Sequence, residues 1–193
     1  RQRQMVIRAR GMAIGYRIMI SPDDFDDITA NGVKDYDAYF GTPTYDDHVL
    51  FELLVVGILQ VGLGWRVAAS QLPVLRQHMA GLRVDAVAAL DEPDFERLML
   101  TPKVMHNGRK LRAIIQDARA IQQLQAEYGS FSNYLWAFVD ATPIIMPAPD
   151  DELPTRSPLG ARVAKDLHRH GLTFVGPAVT HMFLLAAGLI KLN

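Results

Sequence analysis

Cysteine is absent from all 193 residues. Disulfides, thiolate nucleophiles and cysteine-based zinc sites are therefore excluded together, and the composition fits a reducing compartment. An excess of one charge sign is also missing: 20 Lys and Arg stand against 21 Asp and Glu, for a formal net charge of −1. No global basic field announces nucleic acid, so such a partner must meet a local basic face. Long apolar runs are lacking too. The stretch Leu53–Leu63 already contains Gln60, and a membrane span needs about 20 residues. The basic N-terminal segment RQRQMVIRARGMAIGYRIMI is interrupted by Arg8, Arg10 and Arg17 with no cleavage pattern after it. Neither a signal peptide nor a membrane partner is expected, and a cytoplasmic location is.

What the chain does have is a hydrophobic fraction of 49%, ordinary for a globular protein and too high for disorder. Its length allows one domain, or one domain with a small lobe. Charge is segregated along it. Between Asp23 and Asp47 stand eight aspartates (23, 24, 26, 27, 35, 37, 46, 47) against the single Lys34. Lys103, Arg109, Lys110 and Arg112 form a block with no acid, and Arg156, Arg162, Lys165, His168, Arg169 and His170 surround Asp166. Blocks of this kind are ordinarily solvated faces. His168 and His170 sit two apart, on nearly opposite faces of a helix, and read as surface residues rather than a metal pair.

The patterning predicts a mostly helical chain. A helix capped by Asp46 or Asp47 is expected through about Leu63, apolar on nearly every face and hence buried. A second, from about Trp65 to Met79, should kink or break near Leu72 because Pro73 lies inside it. Helices follow over Val84–Leu90, over Glu92–Leu100 behind the cap Asp91, and from Arg109 to about Tyr128. Ser130 caps Phe131–Val139, Asp140–Pro154 reads as a long loop, and further helices cover Ser157–His170 and Pro177–Ile190. The first 20 residues read as a strand or hairpin.

Two features carry chemistry. Helices around a short hairpin, Glu92–Leu100 and Arg109–Tyr128, can aim backbone N–H groups at phosphate without touching a base. Cations at a helix N-terminus oppose the macrodipole, so an anionic partner would relieve Lys103, Arg109, Lys110 and Arg112. The second feature is Glu52 to Trp65, ELLVVGILQVGLGW. Each of its glycines, Gly57, Gly62 and Gly64, costs about 1 kcal/mol against alanine in a helix interior. Gly62 and Gly64 suit either a tight turn between packed helices or a close approach of a ligand to the backbone. Trp65 is either a core residue or a stacking surface.

Leu50-Phe51-Glu52, Gly62-Leu63-x-Trp65, Gly129-Ser130-Phe131, Tyr134-Leu135-Trp136-x-Phe138-Val139 and Phe174-Val175-Gly176 stand in this order. In order and spacing they resemble the signature blocks of the bacterial DNA-3-methyladenine glycosylase I family, among the helix-hairpin-helix glycosylases. Asn107 and Lys110 fall where that family has its hairpin Asn and Lys. The resemblance covers roughly Tyr36 to Ile190. It implies an all-α, two-lobed helical bundle, with residues 35–193 as a single glycosylase-like domain, a helix-hairpin-helix element at about 92–126, and residues 1–34 as an unmatched extension. The implied partner is double-stranded DNA carrying a damaged base, bound by a monomer. An alkylated adenine is flipped out, because neither its edge nor C1′ is accessible inside the stack. Its N-glycosyl bond is then hydrolysed in base-excision repair.

Carried over position by position, the resemblance implies a base pocket of Phe40, Gly57, Trp65 and His181. Gln60, Gly62 and Leu63 become the wedge that fills the gap left by the base. Lys103, Asn107, Gly108, Arg109 and Lys110 become the phosphate contacts. The pattern departs from the family at telling places. Gly57 stands where the family keeps a pocket Glu, Asp35 falls on a pocket tyrosine, and Phe40 replaces a tryptophan. Tyr36 falls on a zinc-ligand histidine, so no zinc and no other cofactor is expected. No catalytic residue is assigned; Asp35 is a candidate replacement carboxylate if it faces the cleft, and Glu52 reads as a structural partner. His181 is either a packed core histidine or a pocket substitute for a family tyrosine. Gly57 leaves three readings: a pocket for a bulkier lesion, excision of an intrinsically labile base without a carboxylate, or lost catalysis. A damaged-DNA-binding protein of the same fold is the alternative function, and a helical domain using the pocket for a small molecule is a third.

Overall fold

A computed structural model describes residues 27–148 and 153–193. The segment read as a strand or hairpin, and the acidic run Asp150-Asp151-Glu152, lie outside the described residues. The first helix among the described residues, α1 (Asp27–Tyr39), occupies the aspartate-rich block. Gly32, Tyr36 and Phe40 recur every four residues and all three are buried, which is one helical face. Gly32 allows the closest approach: a Cβ there would stand 2.3 Å from the Ala69 carbonyl oxygen and 2.6 Å from Pro73 Cδ. This helix runs across the expected boundary between residues 34 and 35.

The apolar stretch forms α2 (Asp47–Leu59), with Leu50 to Leu59 entirely buried. Asp46 is its cap, accepting from His48 N at 2.8 Å and Val49 N at 3.2 Å. Asp47 serves another helix start: it accepts from Phe131 N at 2.9 Å and Ser132 N at 2.8 Å. The expected helix over 65–79 is broken into α3 (Trp65–Ser70) and α4 (Leu72–His78) around Gln71, with Pro73 near the start of the second, where its missing N–H costs no helical bond. Next come α5 (Val84–Ala88), α6 (Glu92–Leu100) and α7 (Gly108–Tyr128). A reciprocal capping box between Asp91 and Asp94 starts α6. Then follow α8 (Phe131–Trp136), α9 (Pro158–Arg169, capped by Ser157) and α10 (Pro177–Ala186). Helix α2 lies at the centre, packed by α3, α5, α7, α8 and α10.

One element escapes the sequence reading. Within the expected loop, β1 (Ile144–Met146) pairs in parallel with β2 (Ile190–Leu192), Ile144 opposite Ile190. The last helix therefore ends at Ala186 rather than Ile190.

Asp117 on α7 is fully buried. Its Oδ1 accepts from Thr173 N (2.6 Å) and Thr173 Oγ1 (3.0 Å), while Oδ2 has no partner among the described residues. Burial raises its pKa from 3.8 to about 7 against the opposing pull of the Thr173 bonds. A raised carboxyl pKa means that the folded state holds a proton the unfolded chain has released. The contribution to stability is fully present below pH 3.8 and is lost as pH rises through about 7. Asp117→Asn keeps the acceptor and turns the orphaned oxygen into a donor. It should raise the Tm at pH 8 by several degrees and flatten the decline in Tm between pH 5 and 8, a difference that thermal melts on both proteins would reveal.

Candidate active site and DNA interface

Helix α2 stops at Leu59 and the chain turns tightly before α3. Leu63 N donates to the Gln60 carbonyl (2.9 Å), and Gly62 takes φ of +74° with no atom within 4 Å of its would-be Cβ. That left-handed, open position suits glycine. The turn presents an apolar tip: Val61 is 43% exposed, Gly62 is exposed and Leu63 half-buried. Val61 was not among the expected wedge residues, yet it is the most outward apolar side chain there. The Gln60 side-chain oxygen is buried, with no hydrogen-bond partner among the described residues.

Trp65, the first residue of α3, is half-buried. Its ring lies 5.8 Å from the Tyr36 ring at 36°, and Tyr36 meets Phe40 edge-on at 5.6 Å. Phe40 thus reaches Trp65 through Tyr36, which the resemblance had placed only at a zinc-ligand position. Arg66 holds its guanidinium 5.3 Å from the Trp65 ring centroid. Gly57 is buried in the last turn of α2, and a Cβ there would lie 3.5 Å from Val179 Cγ1, an ordinary contact. A side chain at 57 would therefore point at α10.

Three expected site residues take other roles. Asp35 gives its carboxylate to Arg76 Nη1 at 2.6 Å, and Arg76 binds both oxygens of the buried Glu52 at 2.7 Å. His48 Nε2 stands 3.3 Å from the same Glu52. Asp35, the candidate carboxylate, and Glu52 are thus both ion-pair partners of Arg76. His181 is a buried, hydrogen-bonded histidine, the first of its two readings: Nε2 contacts the Pro154 carbonyl at 2.7 Å and Nδ1 the Ser157 hydroxyl at 2.8 Å. The carbonyl only accepts, so Nε2 carries the proton and the hydroxyl donates to Nδ1. Burial pulls its pKa below the usual imidazole value, which agrees with a neutral ring.

Lys110 is the third. It is only 4% exposed; its Nζ donates to the Leu59 carbonyl at 2.7 Å and also to the Val61 carbonyl. It faces the wedge turn rather than phosphate, and burial lowers its pKa.

Residues 101–107 form the connection expected between the two helices. Between α6 and α7, Lys103 takes φ of +72°. Gln71 grips that turn, donating from Nε2 to the Lys103 carbonyl (3.1 Å) and accepting from Met105 N (2.8 Å). Asn107 caps α7 by accepting from Lys110 N at 3.2 Å, so the amides of Gly108 and Arg109 precede the first helical acceptor. Lys103 and Arg109 are exposed, and Arg109 lies 5.8 Å from the Phe174 ring centroid. Arg112 is spent on Glu92 through two hydrogen bonds, at 2.7 and 2.5 Å. The basic face is therefore smaller than the sequence block.

The methyladenine glycosylase family model matches residues 27–192. The chain belongs to the methyladenine glycosylase family. DNA-3-methyladenine glycosylase 1 of Escherichia coli (strain K12) is 30% identical over 157 residues, 81% of this chain and 84% of that protein. The DNA-3-methyladenine glycosylase of Haemophilus influenzae is 26% identical over 156 residues, 80% of this chain and 84% of that one. The structure of 3-methyladenine DNA glycosylase I from Staphylococcus aureus superposes with a TM-score of 0.77 at 29% identity, covering 94% of this chain and 92% of that one. A Y16F variant of such an enzyme in complex with 3-methyladenine gives 0.78 at 28%, with the same coverage. The chain is thus a DNA glycosylase-like protein of the 3-methyladenine type in base-excision repair, with DNA as its partner. Among the described residues no helix is long and apolar enough to cross a membrane.

Proposed function

We propose that the protein, as a monomer in the cytoplasm, binds double-stranded DNA at an alkylated adenine and flips that base against Trp65. The observation that carries this reading is the exposed tip Val61–Leu63 running directly into the half-buried Trp65. The tip fills the gap in the stack, as apolar wedges do, and the base leaves the duplex for a surface of Trp65 backed by Tyr36 and Phe40. Water then attacks C1′, the C1′–N9 bond breaks and its electron pair passes to the base. An N3-alkylated adenine already carries positive charge, so it departs neutral without being protonated. The water's proton goes to solvent.

No carboxylate need match that cation at Gly57. Asp35, the candidate replacement carboxylate, and the buried Glu52 are both held by Arg76. That observation favours a second reading, in which the fold binds damaged DNA with little or no excision. Release of free base from methylated duplex, measured beside affinity for an abasic-site analogue, separates the two. Base release supports excision; tight abasic binding without release supports the binding protein. Neither result, with duplex affinity insensitive to salt, would defeat both.

The hairpin supplies the phosphate contacts through Lys103, Arg109 and the amides at Gly108. Arg109→Gln should weaken binding to all duplexes alike and reduce the log–log salt slope by about 0.9, as a titration of affinity against salt would record.

A further inference from the structure

The hairpin and the wedge are joined twice by side-chain hydrogen bonds within the protein. On one side Lys110, near the start of α7, sends a buried ammonium to the Leu59 and Val61 carbonyls. Leu59 is the last residue of α2 and Val61 belongs to the exposed tip. Terminal carbonyls of a helix have no intrahelical donor, and a cation there complements the negative end of the macrodipole. The ammonium therefore closes the end of α2 and shapes the turn beyond it. On the other side Gln71, which directly follows the Trp65 helix α3, holds the hairpin turn through Lys103 O and Met105 N.

We infer that Lys110 and Gln71 are positioning residues that fix the phosphate-gripping hairpin to the wedge tip and to the Trp65 helix, so that backbone grip and base extrusion share one register. This inference rests on the base-flipping reading for its consequence, but the tethers themselves do not depend on it. A phosphate grip displaced from the wedge by an ångström would still hold DNA while inserting the tip off its step. Misplacement of that size costs up to about 100-fold in rate.

The test uses the full chain carrying Lys110→Met and, separately, Gln71→Ala, which removes two hydrogen bonds at a partly exposed site without leaving a buried charge. Amide hydrogen exchange on the free protein should quicken at residues 61–65 in both variants, with the exchange of α7 beyond its first turn unchanged. On duplex DNA containing 2-aminopurine beside the lesion, extrusion fluorescence should fall by about tenfold or more at saturating protein. Affinity for undamaged duplex and its salt slope should stay at wild-type values. A salt slope reduced by about 0.9 in Lys110→Met would mean that Lys110 neutralises a phosphate, which overturns the inference. Unchanged exchange at residues 61–65 in Gln71→Ala and Lys110→Met overturns it as well. Absence of base release from the wild-type chain, with the exchange result intact, would instead count against excision and leave the tethers standing.

Discussion

Trp65→Ala should lower the rate of base release from N3-methylated duplex by about 10- to 100-fold, since stacking a base on an aromatic ring is worth about 1–3 kcal/mol. Affinity for an abasic analogue should fall much less, because that ligand offers no base to stack. The fold should survive. Trp65 is half-buried at the first position of α3, alanine is the best helix former, and Tyr36 behind it remains packed on Phe40 at 5.6 Å. Trp65→Phe should recover much of the loss. If Trp65→Ala releases base at the wild-type rate with unchanged circular dichroism, the tryptophan is a packing residue and the pocket lies elsewhere. Should abasic affinity fall as steeply as base release, Trp65 would belong to the wedge rather than to the base surface.

Most caps and the helix break were legible because each is a local device. Asp91 before Glu92, Ser130 before Phe131 and Pro73 inside an apolar run act within a few residues of themselves, and the helix starts and break appear there. Lys110 was misread because a block of positive residues says nothing about which side of a helix each occupies. Helical period says more. Lys110, Ile114, Asp117, Ile121 and Leu124 recur at three- and four-residue spacing and all are buried, whereas Arg109, Arg112, Gln116 and Arg119 are exposed. Reading that stripe would have assigned both polar members, Lys110 and Asp117, to the interior before any coordinates. Tyr36 was hidden differently, since its partners Gly32 and Phe40 lie on a helix that crosses a run of aspartates with low helix propensity. Packing of that helix onto α3 and α4 decides its state. The three-residue strands β1 and β2 leave no local trace at all, because their pairing joins residues 144 and 190.

The largest stability effect should come from Arg76. Its guanidinium makes two 2.7 Å bonds to Glu52, whose side chain is only 5% exposed, and one of 2.6 Å to Asp35. The paired carboxylates hold its pKa well above the usual arginine value. Arg76→Leu leaves Glu52 in the interior without its principal partner, and removing one member of a buried pair costs about 3–5 kcal/mol. His48 at 3.3 Å cannot replace a bidentate fork. Removing both charges is different: Arg76→Leu with Glu52→Leu leaves no stranded carboxylate and should recover most of the loss in urea melts. The double variant still lacks the bond to Asp35 and so tests the site separately. Through that bond Arg76 braces α1 one residue from Tyr36, the ring behind Trp65. Base release should therefore remain below wild type in the double variant even where its fold is fully populated. Full recovery of activity along with stability would make the Arg76–Asp35 bond irrelevant to the aromatic wall, and the network would be a stability device alone.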